Sequence, residues 1–115
     1  MAAEWNSAFA ANPSALSAYR KAADGQGEDI TTAEYDALLR SMIGVVYLYD
    51  NAHYQYQQGF VSEGFWETTR ASLKSLMKNP VAKAVFLERL DLGMRPEFRT
   101  VVLSISSELK EELEE

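Results

Sequence analysis

The sequence predicts an all-α fold, a compact bundle of about five helices built around one long, aromatic-rich central helix. Three observations predict it. Apolar residues recur every three or four positions through most of the chain, which is the spacing of a helix face. Asparagine, threonine or serine stands just before several of these runs, where a side-chain oxygen can satisfy the free N–H groups of a first turn. The alternation of a half-buried strand appears only faintly, over residues 101–105.

Residues 2–11, with Trp5 and Phe9 four apart, can form a turn or two with an aromatic edge. Asn12-Pro13 is the first clear start: asparagine caps, and proline at the first helical position lacks an N–H that would have no helical partner. That helix runs to about Ala23 with Leu16 and Tyr19 on one face, and Asp24-Gly25-Gln26-Gly27 ends it. Thr31 and Glu34 have the spacing of a capping box, and Ile30 and Tyr35 that of a hydrophobic staple. Leu38, Leu39, Met42, Val46, Tyr49 and His53 then mark one face of a long helix. Carried to Gln58 it is about 40 Å long at 1.5 Å per residue. A helix of that length in a small domain either projects at one end or uses Gly44 for a close contact.

Gly59 is placed as a left-handed cap. Ser62 opens a helix over residues 63–78, with Val61 and Trp66 as a second staple and Phe65, Trp66, Leu73, Leu76 and Met77 as its apolar face. Asn79-Pro80 repeats the earlier start, Val81, Val85, Phe86 and Leu90 fill the next helix, and Leu92-Gly93 ends it. Pro96 starts the last, with Phe98, Val101, Val102, Ile105 and Leu109 sharing a face. Its β-branched and serine content gives it weak intrinsic propensity, so packing must hold it. Residues 1–107 are expected to form one domain. Residues 108–115 read as an acidic, solvated tail that frays, because acids at a helix C-terminus oppose the dipole.

Composition narrows the function. With 115 residues and 47% hydrophobic content the chain can bury a core without a staple. It has no cysteine, which removes disulfides, thiolate metal sites and cysteine nucleophiles. A net charge of −6 repels phosphate backbones, so no direct nucleic-acid contact is expected, while a basic protein surface is a permitted partner. The apolar run over residues 42–49 is far short of a membrane span, and Met1-Ala2-Ala3-Glu4-Trp5 lacks the features of a signal peptide. A cytoplasmic protein with no membrane insertion is the expectation, compatible with an upstream anchor in a longer parent protein.

Asp50, His53 and Tyr54 place a carboxylate, an imidazole and a phenol on one helix face. A di-iron carboxylate site would need this pattern twice, and His53 is the only histidine. No nucleophile motif accompanies the pair, so no catalytic residue, metal or cofactor is assigned, and His53 is expected to be hydrogen-bonded at the core edge. Tyr47, Tyr54 and Tyr56 cannot all join the Leu38/Met42/Val46/Tyr49 face. Some of them must wrap onto neighbouring helices or lie exposed, and exposed tyrosine beside Gln55, Gln57 and Gln58 has the composition of an interaction patch. Glu63, Glu67 and Arg70 are spaced to pair along one solvent face.

The order of Tyr54, Gly59, Val61, Ser62, Trp66, Pro80, Phe86 and Phe98 resembles a family of uncharacterised bacterial all-helical domains, often found downstream of membrane helices. The resemblance spans about residues 12–105 and implies a helical fold and a bacterial origin, without a mechanism. Two features depart from it: no membrane helix, and Phe86 where tryptophan is common.

The expected function is therefore a non-enzymatic interaction or regulatory domain that binds a protein, either a foreign one or another copy of itself. Its candidate contact residues are Tyr47, Asp50, His53, Tyr54, Tyr56 and Trp66. Two alternatives are a small-molecule sensor with a Tyr/Trp-lined pocket, and an acidic, phage-type inhibitor occupying the basic groove of a nucleic-acid enzyme.

Overall fold

Four of the helices begin where a side-chain oxygen takes up the free N–H groups of a first turn. In the computed structural model, which describes residues 12–114, helix α1 spans Pro13–Ala23. Asn12 Oδ1 accepts the Ala15 N–H at 3.2 Å at its start. Helix α2 spans Thr32–Gln57, and its capping box is complete. Thr31 Oγ1 accepts the Glu34 N–H at 3.1 Å, and the Glu34 carboxylate accepts the Thr31 N–H at 3.0 Å. The same carboxylate pairs with Lys21 at 2.8 Å, which ties the start of α2 to α1. Helix α3, Glu63–Leu76, is capped by Ser62, whose Oγ accepts the Phe65 N–H at 3.1 Å. Helix α4, Pro80–Glu88, is capped by Asn79, and helix α5 spans Pro96–Glu114. Short 3₁₀ turns, Gly27–Asp29 and Arg89–Asp91, complete the described chain, in which no strand occurs.

Between α2 and α3 the chain reverses through Gly59, at φ +79°. The Phe60 N–H returns to the Gln55 carbonyl at 2.9 Å and the Gly59 N–H to Tyr56 at 3.0 Å. These are the two bonds that a left-handed glycine cap makes available.

Helix α2 is the central helix and packs against each of the other four described helices, most extensively α1. Its Leu38, Met42, Val45 and Tyr49 meet Ala15 and Ala18 of α1, Leu73 and Leu76 of α3, Ala82 and Phe86 of α4, and Phe98, Val102 and Ile105 of α5 in one core. The close contact expected at Gly44 does not form. Gly44 is exposed, and a Cβ there would touch nothing.

The α3 face is Trp66, Thr69, Leu73 and Leu76. Phe65 does not belong to it: at 45% exposed, it lies about 100° around the helix from Trp66. Met77 and Lys78 fall in the turn that follows rather than in the helix. Arg70 does not pair along its own helix but reaches α5, where Glu108 accepts it at 3.2 Å. Lys74 joins Glu108 at 3.3 Å and also meets Glu112. Arg70, then Lys74, hold the Glu108 carboxyl down to about 2. This seam carries α5 past residue 107, where the domain was expected to give way to a frayed tail. The helix continues to Glu114, with Leu109 buried and the exposed stretch starting only at Lys110. The expected turn over residues 2–11 lies outside the described residues. No described helix is long and apolar enough to cross a membrane.

Candidate functional site

Tyr47, Asp50 and Tyr54 stand at i, i+3 and i+7 on α2 and form a single stripe. The stripe faces the segment that leads into α5. Asp50 is only 3% exposed, and a buried carboxylate needs a partner that also supplies hydrogen bonds. That partner is Arg95, which donates its side-chain Nη1–H to Asp50 Oδ1 at 3.0 Å and its backbone N–H to Oδ2 at 3.1 Å. Asp50 thereby satisfies an orphan N–H at the start of α5 and anchors the arginine in one geometry.

The guanidinium is laid over the next member of the stripe. Arg95 Cζ stands 4.4 Å from the centre of the Tyr54 ring, within reach of a cation–π contact. The far side of the arginine meets solvent, its side chain being 44% exposed. Tyr54 and Tyr47 are 39% and 49% exposed. The Tyr47 hydroxyl lies against Gly93, 3.7 Å from where a Cβ would stand. Exposed Leu92 precedes that glycine. Together, Tyr47, Leu92, Arg95 and Tyr54 make a mixed aromatic, apolar and cationic surface on a rigid footing.

His53, Tyr56 and Trp66 belong to a different cluster. Tyr56 lies two residues from Tyr54, which turns it to the other side of α2. There it stacks on Trp66, with centroids 5.7 Å apart and planes within 15°. The His53 ring sits 4.7 Å from Trp66 and 6.0 Å from Phe98. The anticipated three-tyrosine patch is therefore two tyrosines and an arginine, and the Asp50 carboxylate serves Arg95 rather than His53. Trp66 and His53 are buried in ring-to-ring packing. Two surface grooves, of about 300 and 330 Å³, lie elsewhere and are lined by none of these six residues. Among the described residues no three His, Asp or Glu side chains converge as a metal ion would require.

Burial pushes the His53 pKa below its ordinary 6.5, against the opposing pull of Asp50 and Glu97. In the pH window between the folded and unfolded values, the unfolded chain binds a proton that the folded chain does not. Stability is thus expected to fall as pH drops below about 6.5. His53 is the only histidine, so its contribution can be isolated. Thermal melts at about pH 7.5 and 5.5 should show a drop in wild-type Tm that is smaller in His53→Gln. Equal drops would place the proton uptake elsewhere.

Arg95 and Leu92 escaped the sequence reading. The signal for Arg95 was indirect: Asp50 interrupts a helix face bounded by Val46, Tyr49 and His53, and such a carboxylate requires a cation. Which cation, 45 residues away, is a property of the packed fold. Compared with protein-family models, curated proteins and solved structures, the chain matches none.

Proposed function

We propose that this chain is a non-enzymatic interaction domain that contacts a partner protein through the Tyr47–Leu92–Arg95–Tyr54 surface. One observation carries the reading: an exposed arginine is held in place by a buried carboxylate and stacked on an exposed tyrosine. Tyrosine and arginine are over-represented among residues that dominate interface energies. Ordering a long side chain on binding costs about 0.5–1.5 kcal/mol, and here the Asp50 bond already restrains Arg95 before any partner arrives. The guanidinium edge not used by Asp50 suits a partner carboxylate, and the two rings suit an apolar side chain between them.

Replacing Tyr47 and Tyr54 together by alanine is expected to leave helicity unchanged and cost at most about 1 kcal/mol of stability, since both side chains are about half exposed. The test is affinity capture from lysate of the source cells, with Tyr35→Ala as a control for an exposed tyrosine elsewhere. A protein retained by the wild type and the control, and lost with the double variant, would be the partner. Identical captures by all three would refute this surface as the site.

A further inference from the structure

Lys21, near the end of α1, is held by three oxygens of the segment that leads into α2. Its Nζ donates to both oxygens of the Glu34 carboxylate, at 2.8 and 3.1 Å, and to the main-chain carbonyl of Asp29, at 3.1 Å. The three N–H groups of the ammonium therefore have three acceptors. Lys21, then Ser17 and Thr31, hold the Glu34 carboxyl down to about 2, so it stays ionised at neutral pH. The capping bond from the Thr31 N–H, at 3.0 Å, fixes the carboxylate against the loop.

Both oxygens of a glutamate and a main-chain carbonyl five residues before it are what a calcium-binding loop between two helices supplies from its twelfth and seventh positions. With Glu34 as the twelfth, the loop covers residues 23–34. It stands between two helices here as well, since α1 ends at Ala23 and α2 begins at Thr32. Its first, third and fifth positions are Ala23, Gly25 and Gly27, which lack the side-chain oxygens that complete a calcium site. The left-handed turn is made at Gly25, at φ +74°, while Glu28 takes the sixth position, where such loops carry glycine. What remains of the cage is too small for an ion that takes six to eight ligands and is enough for an ammonium with three donors. We propose that this loop is a divalent-cation cage with a built-in cation, the Lys21 ammonium standing where a calcium ion would. The α1–α2 hairpin is thereby set without metal and is indifferent to calcium, and removing the ammonium opens a calcium site. Calcium–oxygen distances of about 2.3–2.6 Å require the three oxygens to draw in slightly, which a loop exposed from Ala23 to Asp29 allows. The cage is separate from the Tyr47–Tyr54 surface and does not depend on it.

The experiment is titration with CaCl2 to about 10 mM at constant ionic strength, read by calorimetry and by thermal melts, with circular dichroism to verify folding. Wild type should give no binding heat and no change in Tm. Lys21→Ala should still fold, because the pair it breaks is partly exposed, and should melt lower. It should bind calcium with a Kd of about 1 mM, and its Tm should rise as calcium is added. MgCl2 should do less, since the smaller ion demands a near-octahedral set of ligands. Lys21→Ala with Glu34→Gln should lose the calcium response, which separates the cage from diffuse attraction to an acidic surface. Adding Ala23→Asp and Gly27→Asp to Lys21→Ala should tighten calcium binding at least about tenfold, and a Cβ at Gly27 meets nothing within 4 Å. Three results would each overturn the proposal: a Lys21→Ala variant that ignores calcium, a wild type that responds as strongly, or a response that survives Glu34→Gln.

Discussion

Replacing Phe98 with alanine is expected to remove about 3–5 kcal/mol of folding stability. The ring is fully buried at the start of α5 and belongs to the cluster that α2, α3, α4 and α5 build together. Its loss leaves a cavity that helices held by four sets of neighbours cannot close without shifting. A domain of this size has only about 5–15 kcal/mol in total, and each kilocalorie is worth several degrees of Tm. The melt should therefore fall by about 15 °C or more. Leu103→Ala, on the same helix but 48% exposed, should change stability by no more than about 0.5 kcal/mol. Urea unfolding followed by circular dichroism separates the two, and a Phe98→Ala cost below about 1 kcal/mol would contradict the packing of α5. The cavity has a second consequence. Phe98 lies 6.0 Å from His53, so water entering the vacated space would relieve the burial that lowers the histidine's pKa. The part of the pH dependence owed to His53 should shrink in this variant.

What could be read from the sequence divides along the range of the forces involved. Caps and breaks are set by groups within four residues of one another. Asn12, Thr31 with Glu34, Ser62, Gly59 and Asn79 therefore place helix ends within a residue or two of where they stand. The all-α class and the central position of α2 follow from those ends together with the apolar spacing. Side-chain direction was legible only where one face is plainly apolar. Tyr49 points into the core as its period requires, whereas Phe65 turns away from the Trp66 face because adjacent residues on a helix point about 100° apart. Tyr56 and Tyr54, two residues apart, fall on different sides of α2. The partners of charged residues were not legible at all. Asp50 with Arg95 and Arg70 with Glu108 join residues 45 and 38 apart. For each, the sequence offers only a neighbour on its own helix, because only that neighbour's distance is known before the helices are packed. The geometry of the candidate surface rests on one such long-range pair, the Asp50–Arg95 bond.

The same limit separates the two Asn-Pro starts, which look identical in sequence and should respond very differently to mutation. Asn12, itself only partly buried, caps α1 through one bond, to the Ala15 N–H. Asn79 is 5% exposed. Its Oδ1 accepts the Val81 and Ala82 N–H groups at 3.0 and 3.3 Å, and its Nδ2 donates to the Tyr19 carbonyl at 2.9 Å. One side chain thus starts α4 and fastens it to α1, 60 residues earlier. Asn79→Ala removes a cap and strands buried N–H groups, for an expected cost of about 2–4 kcal/mol. Asn79→Asp is the sharper test. Aspartate is as good a cap as asparagine and favours the positive end of the helix dipole, so an isolated cap should tolerate it. At this position it cannot donate, and it brings a carboxylate oxygen against the Tyr19 carbonyl in a buried site. The expected cost is again about 2 kcal/mol or more, whereas Asn12→Asp should stay within about 0.5 kcal/mol. Matched urea melts of the three variants decide the point. If Asn79→Asp were as mild as Asn12→Asp, the α1–α4 bond would contribute nothing, and Asn79 would be an ordinary cap in a buried position.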